Sequence, residues 1–316
     1  MKVLVAGATG AIGQPLVSQL LVAGHEVVAL TRSEPSATKL RESGAQAVVC
    51  DVFDATAVDV AMNESRPDAV IDQLTSLPQE LDPRKMAEAY AVNDKVRSLG
   101  TEALVSAAKK HGVKRYIVQS IAFIYAPSGE GLKSEDDAAW IAAPEPFTNS
   151  VRVLVENERK VTTASEFTGI VLRYGFFYGP GTWYASDGSS AKMVEKRQFP
   201  IAGGGHGVNS FVHVADAAAA TVAALTQGDA GIYNIVDDEP AEIRAWAPVY
   251  AAAIGAKPPR KVPLWLARIV AGKLIAQMAT QLRGASNAKA KTELGWQPQI
   301  ASWREGFVKY RDSLPG

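Results

Sequence analysis

The hydrophobic pattern opens with Lys2-Val3-Leu4-Val5-Ala6, a short apolar run rich in β-branched residues and stopped by Gly7. A run that short and apolar throughout predicts a strand buried on both faces. The amphipathic stretch after it carries Pro15 in its first turn, where the missing N–H costs nothing, and predicts a helix. The alternation continues. Glu26–Thr31 predicts a second strand, Pro35–Ser43 a helix closed by Gly44, Ala47–Asp51 a third strand and Ala69–Leu74 a fourth. A long helical pattern covers about Pro83 to His111 and stops at Gly112, and Arg115–Ser120 predicts a fifth strand. Apolar runs alternating with helices imply a parallel sheet covered on both faces and joined by right-handed crossovers, a doubly wound α/β fold.

Beyond Ser120 the pattern is less regular. Gly129–Asp137 reads as a polar loop, Val151–Ala164 as a helix and Gly169–Gly175 as a strand. Phe176–Gly188, rich in Gly, Tyr and Trp, reads as a loop suited to a pocket wall. Short strands at Asn209–Val214 and Tyr233–Val236 flank an Ala-rich helix from Val214 to Thr226. The expected division is a dinucleotide-type domain over 1–175, to which the chain returns near 209–236, and a smaller C-terminal substrate lobe over 176–316. Their cleft lies at the carboxyl ends of the strands. The most apolar late stretch, Pro263 to Leu282, is interrupted by Arg268 and Lys273 and is not read as a membrane span.

The turn after the first strand carries the chemistry. Gly7-Ala8-Thr9-Gly10-Ala11-Ile12-Gly13 spaces its glycines by three and leads straight into a helix. Free N–H groups and the positive end of the helix dipole then point at one spot, which suits a pyrophosphate. Gly7 permits the tight turn, Gly10 lets a phosphate approach, and Gly13 lets helix and strand pack closely, as in the Rossmann dinucleotide fold.

Composition narrows the setting. With 47% hydrophobic residues in 316, the chain can bury a sizeable core. Lys+Arg and Asp+Glu both number 33, so no net field draws nucleic acid or an anionic membrane. The single cysteine, Cys50, ends an apolar run and is expected to be buried and inert. The first strand begins at Lys2, leaving no room for a signal peptide, and the expected compartment is the cytoplasm. A monomer or homodimer acting on a small molecule is the expected form.

The end of the second strand bears on cofactor choice. NAD-preferring enzymes place an acid there to hold the ribose hydroxyls. This chain has Leu30-Thr31-Arg32-Ser33, with no carboxylate to repel a 2′-phosphate and a guanidinium suited to one. NADP is therefore expected, with NAD as the alternative, and a solvated surface arginine is the plain reading of Arg32. Asp51 admits two readings: acceptor for the adenine amino group, or N-cap of a following helix.

Taken together, GATGAIG at 7–13, GTEALVSAAKKHGVKRYIVQS at 100–120, LRYGFFYGPG at 172–181, GGGHGVNSFVHVADAAAA at 203–220, YNIVDDEP at 233–240 and ELGWQP at 293–298 resemble an extended short-chain dehydrogenase/reductase of the NAD-dependent epimerase/dehydratase family. The resemblance covers nearly the whole chain. It implies dinucleotide contacts at Thr9, Ala11 and Ile12 in the turn, and at Arg32, Ser33, Asp51, Val52, Leu74, Thr75, Ser120 and Tyr174 along the strand ends.

The family's catalytic unit is Tyr-x-x-x-Lys on the helix after the fifth strand, where lysine lowers the tyrosine's pKa for proton exchange. No tyrosine of this chain is followed four residues later by lysine. Counting back from Glu156, which resembles the family's helix glutamate, Thr148 falls at the tyrosine position and Arg152 at the lysine position. The supporting serine becomes Ile121 and the supporting asparagine Arg97. Phe176 and Asn209 stand where sugar-nucleotide epimerases grip a diphosphate, so the chain is not expected to be such an epimerase.

Ile121, Phe176, Tyr178, Trp183, Asn209 and Phe211 outline the expected substrate pocket, suited to an apolar or aromatic small molecule; the other reading of these aromatics is packing. Tyr125 is the expected proton donor, with Arg152 lowering its pKa, against the reading that Tyr125 only packs its loop. His213 is expected to be structural, and the histidines and cysteine show no metal-ligand spacing. Two functions are in view: an atypical NADP-dependent oxidoreductase on a small, fairly apolar carbonyl-type compound, or a nicotinamide-nucleotide sensor without turnover. A non-redox isomerase or lyase on the same scaffold is a third.

Overall fold

The computed structural model describes residues 1–80 and 85–312, the last three as backbone alone. Its first half alternates β1 (Lys2–Ala6), α1 (Gly13–Val22), β2 (Glu26–Thr31), α2 (Glu34–Glu42), β3 (Gln46–Val49), α3 (Ala55–Ser65) and β4 (Ala69–Asp72). Helices α4 (Met86–Lys95) and α5 (Thr101–Lys110) are joined through one π turn, Val96–Gly100, before β5 (Arg115–Ile121). Then come α6 (Phe147–Thr162), β6 (Thr168–Tyr174), β7 (Phe176–Tyr178), α7 (Ser189–Glu195), β8 (Ile201–Ala202), β9 (Val208–Asn209), β10 (Phe211–His213), α8 (Val214–Ala223) and β11 (Gly231–Ile235).

Seven strands form one sheet in the order β11-β6-β5-β4-β1-β2-β3, and every neighbouring pair is parallel. Alternation along each strand sends side chains to opposite faces. Val3, Val5, Ile71, Ile117 and Ile170 therefore join α1 and α8 in one apolar layer. Leu4, Val70, Val118 and Val171 join α3 and α5 in the other. Each such side chain contributes about 1.5–3 kcal/mol on burial. The strand order reverses between β1 and β4, and a doubly wound sheet opens its ligand crevice at that point.

After β11 the chain builds β12 (Ala241–Glu242), α9 (Ile243–Ala253), β13 (Lys261–Val262), α10 (Leu264–Gln281), α11 (Ala288–Glu293) and α12 (Trp303–Asp312). Helix α10 breaks at Gly272, whose φ of 84° only glycine adopts freely. No helix among the described residues is long and apolar enough to cross a membrane.

Several elements differ from the sequence pattern. Helix α3 follows β3, and Asp54 caps it, its Oδ1 accepting from the N–H of Thr56 (3.0 Å) and Ala57 (3.1 Å). Asp51 is therefore not the cap, and its Oδ1 accepts from the Phe53 N–H instead (3.0 Å). The expected start of the long helix at Pro83 lies outside the described residues. Helix α6 begins at Phe147 rather than Val151. Part of the expected loop after Phe176 is β7, which pairs with β10, so β11 is the part of the 209–236 return that enters the main sheet.

One buried ion pair fastens α6 to β6. Glu158 accepts from Arg173 Nε (2.8 Å) and Nη2 (2.6 Å), and the Ser120 hydroxyl donates to the same carboxylate (2.6 Å). Both charged side chains are about 5% exposed. Glu156, by contrast, is exposed and pairs with its helix neighbour Arg159. Glu158→Gln is expected to destabilise the protein by about 3–5 kcal/mol, since it strands a buried guanidinium. Glu156→Gln is expected to leave the urea midpoint unchanged. Equal midpoints for the two variants would refute the assignment.

Candidate active site

The glycine turn is built as its spacing requires. Gly7 sits at φ 84°, where a Cβ would meet the Gln73 carbonyl, and a Cβ on Gly13 would collide with the carbonyls of Gly7 and Ala8. Gly10 donates its N–H to the Gly7 carbonyl (3.1 Å) and is exposed, and a Cβ there would lie 3.4 Å from the Gly7 carbonyl oxygen. The N–H groups of Ala11 and Ile12 have no acceptor among the described residues. Thr9 and Gly10 are exposed at the mouth of the crevice. The result is a concave set of free donors at a helix start that a Cβ at position 10 would begin to fill, and it fits a dinucleotide's pyrophosphate. Gly181, in the loop after β7, lies against Ala11, and Trp183 donates its indole N–H to the Pro78 carbonyl (2.8 Å). That bond ties the loop after β7 to the segment after β4.

Arg32 and Ser33 are exposed at the end of β2, and the Ser33 hydroxyl reaches Ser36 (3.0 Å). Asp51 is exposed at the end of β3, while Val52 and Leu74 are buried together under Gly100. Thr75 is exposed past β4. Two other expected contacts point elsewhere. The Ser120 hydroxyl is committed to Glu158, and the Tyr174 ring is fully buried, its hydroxyl bonded to Gln73 Nε2 (2.9 Å) and Thr221 Oγ1 (2.7 Å). Burial pushes the Tyr174 phenol up to about 12, against those two bonds.

The proton-transfer set expected on α6 is not assembled. Arg152 is exposed, and the guanidinium over the Tyr125 ring is that of Arg173, 4.8 Å from the centroid. Tyr125 is 3% exposed and donates to Asn234 Oδ1 (2.7 Å). Burial pushes its phenol up to about 12, and Arg173 and Asn234 only partly oppose this. The expected lowering is thus reversed. Thr148 donates to the Ile141 carbonyl (3.0 Å). The helix glutamate that reaches the strand arginine is Glu158, not Glu156. Eight and four residues before it stand Ser150 and Leu154, both buried.

The aromatic residues divide. Tyr178 and Phe211 are fully buried in a ring cluster with Trp246, Tyr250 and Phe307, and so belong to the core of the C-terminal elements. Phe176 and Ile121 remain half-buried. Phe176 stacks on Phe123, with centroids 4.3 Å apart and planes within 10°. Asn209 is buried, and its Oδ1 has no hydrogen-bond partner among the described residues. His213 caps α8, its Nδ1 accepting from the Ala215 N–H (3.2 Å).

Beyond the end of β5 lies a cleft of only about 10 Å³, lined by Phe123, Tyr125, Phe176 and Ser210 together with Lys133 and Arg283. Phe123, Lys133, Ser210 and Arg283 were not expected here, because they come from four segments whose meeting no local pattern reveals. Arg97 lies in the π turn, its charge facing Asp94 and Asp72; burial lowers its pKa to about 10, and the two carboxylates oppose the shift.

A profile of the NAD dependent epimerase/dehydratase family matches residues 3–236. The chain belongs to that family. It is 44% identical over 308 residues to a 3-diazoavenalumate denitrifying reductase of a Streptomyces species, covering 97% of this chain and 99% of the relative. It is 27% identical to a 4-hydroxy-2-methyl-3-oxo-4-farnesyl-3,4-dihydroquinoline-1-oxide ketoreductase of Stigmatella aurantiaca, covering 100% and 97%. Among solved structures, the UDP-glucose 4-epimerase of Thermus thermophilus in complex with NAD superposes with a TM-score of 0.73 at 24% identity, over 99% of this chain and 100% of that one.

Tyr125→Phe keeps the ring under Arg173 and removes the donor to buried Asn234. The expected loss is about 1–3 kcal/mol of stability, with kcat changed less than about threefold. A hundredfold fall in kcat without loss of stability would restore Tyr125 as the acid.

Proposed function

We propose that the protein is an NADP(H)-dependent reductase that transfers hydride to a small aromatic substrate and releases dinitrogen from it. The observation that carries this reading is that no tyrosine of the chain is followed four residues later by lysine, while the buried residues eight and four before Glu158 are Ser150 and Leu154. Hydride addition to a carbonyl builds an alkoxide that needs a positioned acid. An arenediazonium group makes no such demand.

Bound nicotinamide supplies a hydride from its C4. The arene carbon forms a C–H bond with that electron pair, the C–N bond breaks, and its pair leaves with dinitrogen. Two electrons pass from cofactor to substrate and no proton is taken up. The name of the Streptomyces reductase, a denitrifying enzyme on a diazo compound, supports this chemistry at 44% identity over almost the whole chain. A bare nucleotide sensor gains no comparable support, and the ketoreductase is the more distant of the two reductases.

Residues 1–175 with the returning strand β11 hold the dinucleotide in this reading, and 176–316 shape the substrate side. The turn at Gly7–Gly13 takes the pyrophosphate, in keeping with the NAD complex of the Thermus neighbour. Arg32 is exposed with no carboxylate partner among the described residues, and buried Thr31 stands where an acid would repel a 2′-phosphate. Both support NADP over NAD.

Arg32→Ala is expected to weaken NADPH binding about tenfold or more and to leave NADH binding nearly unchanged, read by nicotinamide fluorescence. Equal losses for both cofactors would refute the 2′-phosphate contact. With an arenediazonium salt and NADPH deuterated at C4, the label is expected on the arene carbon, one equivalent per cofactor oxidised. Label acquired from D2O, or NADPH-dependent turnover of ketones alone, would overturn the dinitrogen-releasing reading.

A further inference from the structure

We infer that helix α10 is a peripheral membrane contact, its outward apolar face entering the headgroup boundary of a bilayer rich in anionic lipid. The inference does not depend on the proposed reaction.

Helix α10 doubles back on itself. A straight helix would hold Leu264 and Thr280 about 24 Å apart. Instead both lie against Gly203, where a Cβ would stand 3.1 Å from Leu264 Cβ and 2.9 Å from Thr280 Cγ2. The chain turns at Gly272, with φ 84° and ψ 171°. Ala267 of the first arm and Ala279 of the second meet in one small apolar cluster with Ala202 of β8. The second arm also buries Leu274 and Ala276, so it lies on the body of the protein. Its end is tied down: Gly207 donates its N–H to the Ala279 carbonyl (3.0 Å) and Val208 to that of Leu282 (2.8 Å).

The first arm, residues 264–271, buries Ala267 alone. Successive residues of a helix turn by about 100°, so Trp265 and Ile269 leave it almost opposite Ala267, away from the body. They are 64% and 74% exposed, and Val270 beside them is 76% exposed. A surface helix ordinarily turns its apolar stripe inward and its polar residues out. Here an alanine faces in and the large apolar side chains face out. An exposed apolar face of that kind marks a contact surface.

The charge around that face identifies the partner. Acids and bases balance over the whole chain, but no Asp or Glu occurs between Glu242 and Glu293. None occurs over residues 196–215 either, which contain β8 and β9, the strands α10 packs on. Lys257, Arg260, Lys261, Arg268 and Lys273 are exposed, and none has a carboxylate within ion-pair distance among the described residues. Pairing of β13 with β8 fixes Arg260 and Lys261 at the foot of the first arm, the Ile201 N–H donating to the Arg260 carbonyl (2.8 Å). Unpaired cations around exposed Trp and Ile suit phospholipid headgroups over an acyl boundary, where each nearby cation strengthens the hold on anionic lipid. A second copy presenting the same face would instead bring like charges together. Helix α10 is too short and too polar to cross the bilayer, so the attachment is to its surface.

Cosedimentation of the full chain with vesicles tests this. One set is pure phosphatidylcholine, the other an equimolar mixture of phosphatidylcholine and phosphatidylserine. Wild type is expected to bind the mixed vesicles at least about tenfold tighter than the neutral ones, and to be released as salt is raised. Trp265→Ser combined with Ile269→Ser should weaken binding to the mixed vesicles about tenfold or more. Its melting temperature should not change, because both side chains are exposed. Arg260→Gln combined with Lys261→Gln should weaken binding to a similar extent. No binding to the mixed vesicles, equal binding to both sets, or full binding by the Trp265 and Ile269 double variant would overturn the assignment. A wild type that ignores vesicles but forms a dimer, which that double variant returns to monomer, would overturn it in favour of a second copy.

Discussion

The buried pair of Glu158 and Arg173 governs the carboxyl side of the sheet. Two charges in a nearly dry interior are tolerated only while each keeps the other and its hydrogen bonds. Burial alone would lower the guanidinium's pKa, but the Glu158 carboxylate more than offsets this and the net shift is upward. Through Ser120 the pair reaches β5, through the Tyr125 ring it reaches the loop beyond, and through the Tyr125 hydroxyl it reaches Asn234 of β11. Helix α6 and three strands are thus held in one register. A slide of any of them would leave a charge buried without its partner. The cleft wall beside Tyr125 is stiff for that reason.

The parallel sheet and its glycine turn were legible because both are written locally. Strand β2 occupies the expected Glu26–Thr31, and Gly112 ends α5 as its position suggested, with the Val113 N–H returning to the Ala108 carbonyl. What escaped was everything decided by tertiary contact. Glu156 and Glu158 are both carboxylates on one helix, and only packing tells which turns inward. Tyr178 and Phe176 lie in the same short strand, yet one is sealed in an aromatic core and the other stacks at a cleft. Residues two apart in a strand share a face, so alternation alone does not separate them; the elements packed at each end of β7 do. The backbone of Lys133 pairs with Gly284 and Ser286, far away in the chain, and no periodicity announces such a meeting.

The missing Tyr-Lys pair takes on a different meaning once Ser150 and Leu154 are seen in place. The scaffold has kept the positive helix end, the crevice at the strand reversal and the apolar walls, which are the parts that bind and orient. Among the described residues no Tyr-x-x-x-Lys pair stands ready for a developing oxyanion, and in the proposed reading such a site favours electrophiles that accept hydride without creating an anion.

Strand β11 has a consequence for how the chain folds as it is made. Strands β1 to β6 emerge from the ribosome with most of their pairing partners close in sequence, whereas β11 is separated from β6 by β7 to β10 and two helices. Closing so long an intervening segment costs only slightly more entropy than a short one, but it takes time. At synthesis rates of about 5–20 residues per second, the outer edge of β6 waits several seconds for its neighbour. An open, apolar parallel edge is a template for any other nascent strand. The interval before β11 arrives is therefore when this protein is most exposed to aggregation, and a chaperone that shields β6 would act there rather than on the finished fold.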